Sequence, residues 1–139
     1  MAVFTDTIPC KTAGDGDTVD VTEQLAQGLR ESGLTDGVVT LFVAGSTGGI
    51  TTIEFEPGAV ADLQEVLEAI APRDRDWRHH LKWGDRNGHS HVRSALLGPC
   101  LSVPFVGGKL CLGTWQQVVL VDFDDRPRTR EVIAQFVGE

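Results

Sequence analysis

All four histidines of this 139-residue chain, His79, His80, His89 and His91, fall within one short stretch. Imidazole titrates near neutrality and is the commonest protein metal ligand, so such a cluster suits proton transfer or metal binding. Two histidines and a carboxylate make a three-ligand site with an open position. The spacing does not choose between these chemistries: there is no HExxH, and a Gly-containing loop separates His79 from His91. In a helix, Asn87, His91 and Ser94 share one side, because residues three and four apart are neighbours. In a strand, His89 and His91 would share a face instead. Asn87 suits an N-cap, and Gly98-Pro99 is a stop, so the helix is the better reading. Val92, Ala95 and Leu96 then form an apolar stripe to seat it on a core. His80 and His89 are expected to face water or to cap backbone groups.

Three further places could carry chemistry. Gly45-Ser46-Thr47-Gly48-Gly49 follows an apolar run and either presents backbone N–H groups to an anion or is a tight strand-to-strand turn. It is not a P-loop, since the Gly-Lys-Ser/Thr ending is missing. Arg126, Arg128 and Arg130 either bind a phosphate group or form a solvated basic face. Glu54 is an exposed strand glutamate unless its face meets the histidines, where it would serve as base or metal ligand. Trp115 is read as lining a cleft or interface, with simple core packing as the alternative.

The elements that must position these residues come from the remaining pattern. A net charge of −8 excludes a broad nucleic-acid footprint but not a small phosphorylated ligand held by a few arginines. No apolar run approaches the roughly 18 residues of a membrane span. The first residues lack the features of a signal peptide, so a cytoplasmic location is expected. Cys10, Cys100 and Cys111 are widely spaced and odd in number, which reads as buried free thiols rather than a disulfide scaffold. The length suits a single domain over residues 1–139.

Alternation predicts a strand over 2–9, with a Gly/Asp turn over 11–17. Thr22 is expected to cap a helix from Glu23 to about Ser32, ended by Gly33. Strands are predicted over 37–43 and 50–56. Pro57 opens a helix to about Ile70, with Val60, Leu63, Val66, Leu67 and Ile70 inward. Beyond Gly98, strands are predicted over 101–105, 110–112, 116–123 and 130–137, with hairpin chemistry at Gly107-Gly108. Two longer helices, one short helix and clustered strands indicate an α+β fold with mostly antiparallel sheets.

Taken in order, Gly-Ser-Thr-Gly-Gly-Ile-Thr-Thr-Ile-Glu, Trp-Arg-His, Asn-Gly-His-Ser-His-Val-Arg-Ser-Ala-Leu-Leu-Gly-Pro, Leu-Gly-Thr-Trp-Gln-Gln and Asp-Asp-Arg-Pro-Arg-Thr-Arg resemble the YjbQ family over nearly the whole chain. The resemblance implies a compact α+β homotrimer with clefts at subunit boundaries. It also implies secondary thiamine-phosphate synthase activity, joining a pyrimidine pyrophosphate to a thiazole phosphate and releasing pyrophosphate. Matched by position, the expected catalytic residues are His79, His91, Asn87 and Glu54. The expected substrate contacts are Ser46, Thr47, Gly48, Trp115, Gln116, Arg128 and Arg130. His79 and His91 are the expected ligands of a divalent ion, zinc or magnesium. The family motif opens His-Thr-Ser where this chain has Gly45-Ser46-Thr47, so a third ligand must be His89 or Glu54, or the site holds no metal. The competing reading is a non-catalytic homotrimer that binds a metal or metabolite.

Overall fold

Alternating polar and apolar side chains carry the first strand, β1, over Ala2–Thr12, three residues further than its expected end. Phe4, Asp6, Ile8, Cys10 and Thr12 turn toward the core and the residues between them face outward. The computed structural model describes residues 1–139, and the elements after β1 are β2 (Asp17–Asp20), α1 (Thr22–Ser32), β3 (Gly37–Val43), β4 (Gly48–Ile53), α2 (Pro57–Ile70), α3 (His79–Trp83), α4 (Gly88–Leu97), β5 (Cys100–Val106), β6 (Lys109–Leu110), β7 (Gln117–Asp122) and β8 (Arg128–Gly138). The class is α+β with antiparallel pairing throughout, as the pattern indicates.

Two sheets result, one of five strands in the order β1-β8-β3-β5-β6 and one of three in the order β2-β7-β4. Their facing sides bury Val39, Leu41, Phe105, Val118, Leu120, Val132 and Phe136, and Leu25 and Leu29 of α1 join this core. β7 is buried on both faces, because Val119 and Val121 point away from the main core and pack with Phe123 and Leu67 of α2. That double burial explains its uninterrupted apolar run, the mark of a strand covered on both sides. The hairpin Gly107-Gly108 forms as expected, both glycines at positive φ (59° and 70°), which a two-residue turn of this kind requires.

The departures are local and have physical causes. β4 starts two residues early and ends three residues early, at Ile53, so Glu54 lies just beyond its end. Thr22 does not cap α1: its hydroxyl donates to Asp20 Oδ1 at 2.6 Å and accepts the N–H of Val118 at 2.9 Å. The short helix α3, spanning His79–Trp83, has no apolar stripe to announce it. Only Leu67 of α2 is buried, whereas Val66 and Ile70 are exposed. Cys10 is buried, but Cys100 and Cys111 are exposed, so the expectation of three buried thiols fails.

The largest departure is the orientation of α4. The helix is present, yet Val92, Ala95 and Leu96 do not seat it, and Leu96 is 59% exposed. It rests instead on Gly88, His89, Ser90, Arg93 and Ser94. Its serine and arginine are satisfied: Ser94 Oγ donates to the Gly48 carbonyl at 2.6 Å, and Arg93 Nε donates to the Ala71 carbonyl at 2.9 Å and its guanidinium pairs with Glu68, while His89 Nδ1 is buried without a partner. His89, expected near water or a backbone cap, is 1% exposed. Hydrogen bonds, not an apolar stripe, therefore fix the rotation of α4, and buried polar groups cost too much to be left unmade. Ser94→Ala is expected to lower the unfolding free energy by about 1–3 kcal/mol in chemical denaturation, while Ala95→Gln stays within about 0.5 kcal/mol.

Candidate functional site

β7 ends at Asp122 and β8 begins at Arg128, and the turn between them sets two acids against two arginines. Arg130 donates to both carboxylate oxygens of Asp122, through Nε at 2.8 Å and Nη2 at 2.9 Å, with both side chains buried. Thr12 Oγ1 donates to the same carboxylate at 2.5 Å. Nη2 of Arg130 also reaches Thr47 Oγ1 at 2.6 Å, and that hydroxyl donates to Asp124 Oδ2 at 3.2 Å. Asp124 further accepts from Arg128 Nη1 at 3.1 Å and from Asn87 Nδ2 at 3.3 Å. One connected network thus ties β1, the 44–47 loop, β7, β8 and the start of α4.

Above it stand the histidines. The rings of His79 and His91 lie 4.4 Å apart, centroid to centroid, tilted by 53°. His80 holds the two helices together, its Nε2 accepting the N–H of Gly88 at 3.0 Å, the backbone-capping role expected for it. His79 Nε2 is buried without a hydrogen-bond partner, 3.7 Å from Asp85 Oδ1, and Asn87 Oδ1 is likewise buried and unpartnered. Such orphaned polar atoms are uncommon and mark a place where a ligand or water completes the bonding. Burial holds His91 below the ordinary histidine pKa, and the neighbouring His79 adds to the effect. His91 is therefore neutral at pH 7, with a lone pair available to take a proton.

A cavity of 390 Å³ opens beside this pair, lined by Gly45, Ser46, Thr47, His79, Trp83, Asp85, Asn87, His91, Asp124, Arg126, Arg128 and Arg130. Here the structure brings together His79, His91, Asn87, Ser46, Thr47, Arg128 and Arg130, all expected from the sequence. Arg130 is committed to Asp122 and holds the floor, while Arg126 and the partly exposed Arg128 face the open space. Gly48 is not a backbone cradle: it is paired in β4 opposite Asp122, and its carbonyl accepts from Ser94.

Glu54, Trp115 and Gln116 are placed elsewhere. Ile53 pairs with Gln117, and Gln116 Nε2 donates to Thr52 Oγ1 at 3.1 Å, so these residues cluster at the opposite end of the three-stranded sheet. Glu54 is seven positions on from Thr47, roughly 23 Å of extended chain at about 3.3 Å per residue. Within one chain Glu54 does not meet the histidines, and Trp115 is 71% exposed rather than lining their cavity. Asp85, Asp122 and Asp124 were not singled out from the sequence. For Asp122 and Asp124 the signal is the spacing of Asp122-x-Asp124 and Arg128-x-Arg130 about one short turn, which joins β7 of one sheet to β8 of the other; nothing in the pattern marks Asp85.

The donors in one chain do not make the expected divalent centre. No three His, Cys, Asp or Glu side chains are grouped to hold an ion. His89, the candidate third ligand, is buried on the underside of α4, with Ser90 Oγ 3.4 Å from its Nε2. A Cβ added at Gly45 would lie 2.5 Å from Arg130 Nη1, so the guanidinium fills the space a side chain there would enter. A fixed cation at that place opposes a second one.

The comparisons with known proteins agree on one relationship. A family model described as UPF0047 protein YjbQ-like matches residues 6–139. A UPF0047 protein of Methanothermobacter thermautotrophicus is 32% identical over 139 residues, covering 100% of this chain and 95% of its own length. The UPF0047 protein YugU of Bacillus subtilis is 29% identical over 133 residues, 95% of this chain and 98% of its own. Among solved structures, a YbjQ-like protein of unknown function from Sulfolobus solfataricus superposes with a TM-score of 0.94 at 34% identity, covering 99% of both chains. A hypothetical protein from Aeropyrum pernix gives 0.91 at 30% identity, over 98% of this chain and 99% of its own.

Three outcomes follow from this geometry. In ¹⁵N-detected NMR titration His91 should titrate below the ordinary value of about 6.5, and His79→Ala should move it upward by removing both cover and like charge. Because the folded state disfavours protonation of His91 and of the buried His89, their contribution to stability is full above the unfolded pKa and is lost as pH falls through and below about 6.5. Zinc added to purified protein should not survive gel filtration; one ion per chain, lost in His91→Ala, would overturn the reading of the donor set.

Proposed function

We propose, from the premise that this chain belongs to the YjbQ-like UPF0047 family, that it is a small cytoplasmic homotrimeric enzyme acting on a phosphorylated metabolite. The observation that carries this reading is the meeting of two unpartnered polar atoms, His79 Nε2 and Asn87 Oδ1, with the arginines and hydroxyls of one 390 Å³ cavity. Arg126, Arg128, Ser46 and Thr47 supply donors for phosphate oxygens, and planar guanidinium groups match that geometry in pairs.

The reaction that suits these parts is substitution at an activated carbon with loss of pyrophosphate, as in joining a pyrimidine pyrophosphate to a thiazole phosphate. The carbon–oxygen bond breaks and its electron pair leaves on the pyrophosphate, and the ring nitrogen lone pair forms the new bond to carbon. Donors fixed before the reaction stabilise the charge that develops on the departing oxygen, which is the largest contribution such a site makes. His79 or His91 exchanges a proton with the departing group. Asn87 is held by Asp124 through its amide nitrogen, which keeps Oδ1 turned to the ligand.

The homotrimer gives the remaining expected residues a place. The outer face of the five-stranded sheet is uncovered in one chain and carries Val3, Val38, Phe42 and Ile133, each more than a third exposed. Val66, Ile70 and Leu96 on the helices are exposed as well. Apolar exposure of this extent commonly marks an association surface. In such a trimer, with the clefts at subunit boundaries that the family resemblance implies, the Glu54, Trp115 and Gln116 end of one copy would complete the histidine cavity of the next. No helix is long and apolar enough to cross a membrane.

Incubated with a hydroxymethylpyrimidine pyrophosphate and a thiazole phosphate, the protein should form thiamine phosphate, and His91→Ala should slow it by about 10²–10⁴-fold, the usual worth of a positioned acid–base group. Binding of inorganic pyrophosphate without turnover would favour the non-catalytic metabolite-binding trimer instead. Sedimentation should show a trimer, and the double substitution Phe42→Asp with Ile133→Asp should release monomers.

A further inference from the structure

Asn87 is the only asparagine in the chain, and the residue after it is glycine. Asn-Gly is the dipeptide most prone to spontaneous deamidation, because glycine has no side chain to keep its own nitrogen from the neighbouring amide carbon. Two separate demands put that pair here. Asn87 donates to Asp124 through Nδ2 and leaves Oδ1 buried and unpartnered. Gly88 is buried where α4 meets Trp77, and a Cβ added to it would run into the Trp77 side chain.

The folded backbone opposes the reaction. Closure of the five-membered ring needs the Gly88 nitrogen nearly coplanar with the carbonyl carbon, Cα and Cβ of Asn87. At an Asn87 ψ of 25° that nitrogen is turned well away from Cγ. Rotating it inward would take the Asn87 carbonyl from the N–H of Ser90, which it accepts at 2.9 Å in the first turn of α4. It would also break the hydrogen bond from the Gly88 N–H to His80 Nε2 at 3.0 Å. His80 therefore engages the attacking atom itself. Yet His80 belongs to α3, a helix of five residues with none buried. An element with so few buried contacts opens locally at little cost.

We infer that Asn87 is a latent modification site guarded by His80. While His80 holds the Gly88 N–H the asparagine persists, and when α3 opens it converts to aspartate and isoaspartate. In that conversion the Gly88 nitrogen gives its proton to water and bonds through its lone pair to Asn87 Cγ. The Cγ–Nδ2 bond breaks, and Nδ2 leaves as ammonia with a proton returned from water. A second water molecule adds to either carbonyl of the resulting succinimide and opens the ring. The product sets a carboxylate against Asp124 Oδ1, where Asn87 Nδ2 donates at 3.3 Å, so repulsion replaces a hydrogen bond. The cavity thus loses its orienting amide with age, whatever reaction it runs.

The test follows full-length protein kept in mildly alkaline buffer. Peptide mass mapping reads the gain of one mass unit in the peptide that carries Asn87, and enzymatic methylation reads isoaspartate in the same peptide, the product that only ring opening yields. Folded wild-type protein should convert at least tenfold more slowly than the chain unfolded in guanidinium. His80→Ala should convert several-fold faster than wild type, and His80→Gln, which restores an acceptor there, should recover most of the protection. Each variant is held well below its own thermal transition, so that global unfolding does not supply the rate. Leu81 is 88% exposed, and Leu81→Gly, which loosens α3 while leaving the His80 acceptor in place, should also speed conversion. Wild type as fast as the unfolded chain, His80→Ala no faster than wild type, or His80→Gln as fast as His80→Ala would each overturn the guard. If His80→Ala has no folded state, Leu81→Gly decides, and a rate equal to wild type there overturns the inference.

Discussion

The ion pair between Arg130 and Asp122 is the constraint on which the rest of the site depends. Both side chains are buried, and removing each charge from water costs several kcal/mol, a cost that their mutual attraction offsets only when geometry and additional hydrogen bonds are good. Burial alone would raise the Asp122 pKa, yet the hydrogen bonds from Arg130, Thr12 and the Asp124 N–H outweigh it and hold the carboxyl below its usual range. A pair of this kind contributes little net stability compared with an apolar replacement. What it contributes is position. Arg130 reaches Thr47 across from β8, Thr12 reaches in from β1, and Asp124 is drawn toward Asn87, so the loop, the turn and the first residue before α4 have one common reference point.

That arrangement also divides the arginines by task. Had all three of Arg126, Arg128 and Arg130 been free, their mutual repulsion would have spread them into solvent. With Arg130 neutralised by Asp122 and Arg128 shared with Asp124, the cavity keeps a limited positive charge next to two histidines. An unbalanced cluster of three cations would hold His91 still further from protonation, and an excess of acids would reject a phosphate.

Much of the fold is legible in the chain because period and punctuation agree. β3 occupies its expected residues, α2 opens at Pro57, and Gly107-Gly108 makes its hairpin, each from local chemistry that packing does not contradict. His79, His91, Asn87 and the Ser46-Thr47 loop are also brought together as expected. The failures share a cause. α4 has an apolar stripe that a single chain does not use, and its seat is polar: Arg93 finds Glu68 and Ala71, and Ser94 finds Gly48, all partners remote in sequence. Hydrophobic periodicity cannot register a helix seated on hydrogen bonds. Glu54, Trp115 and Gln116 illustrate another limit, since Glu54 stands only seven residues from Thr47 in sequence and β4 carries it to the far end of the sheet.

The closeness of His79 and His91 sets the proton content of the site. Two imidazoles with centroids 4.4 Å apart cannot both charge without repulsion, and burial adds to it at His91, while Asp124 and Asp85 pull the other way. His91 is therefore held below the ordinary histidine pKa. A phosphate-bearing ligand reverses the balance, because its negative charge favours a proton on the nearest imidazole. Linkage then requires that protonation strengthen ligand binding by the same factor by which the ligand strengthens protonation. In the proposed reaction the site would gain its acid on binding an anion able to receive the proton, and would return to the neutral base on release. A pair of histidines walled by arginines needs no separate control of its charge state, since the ligand supplies it.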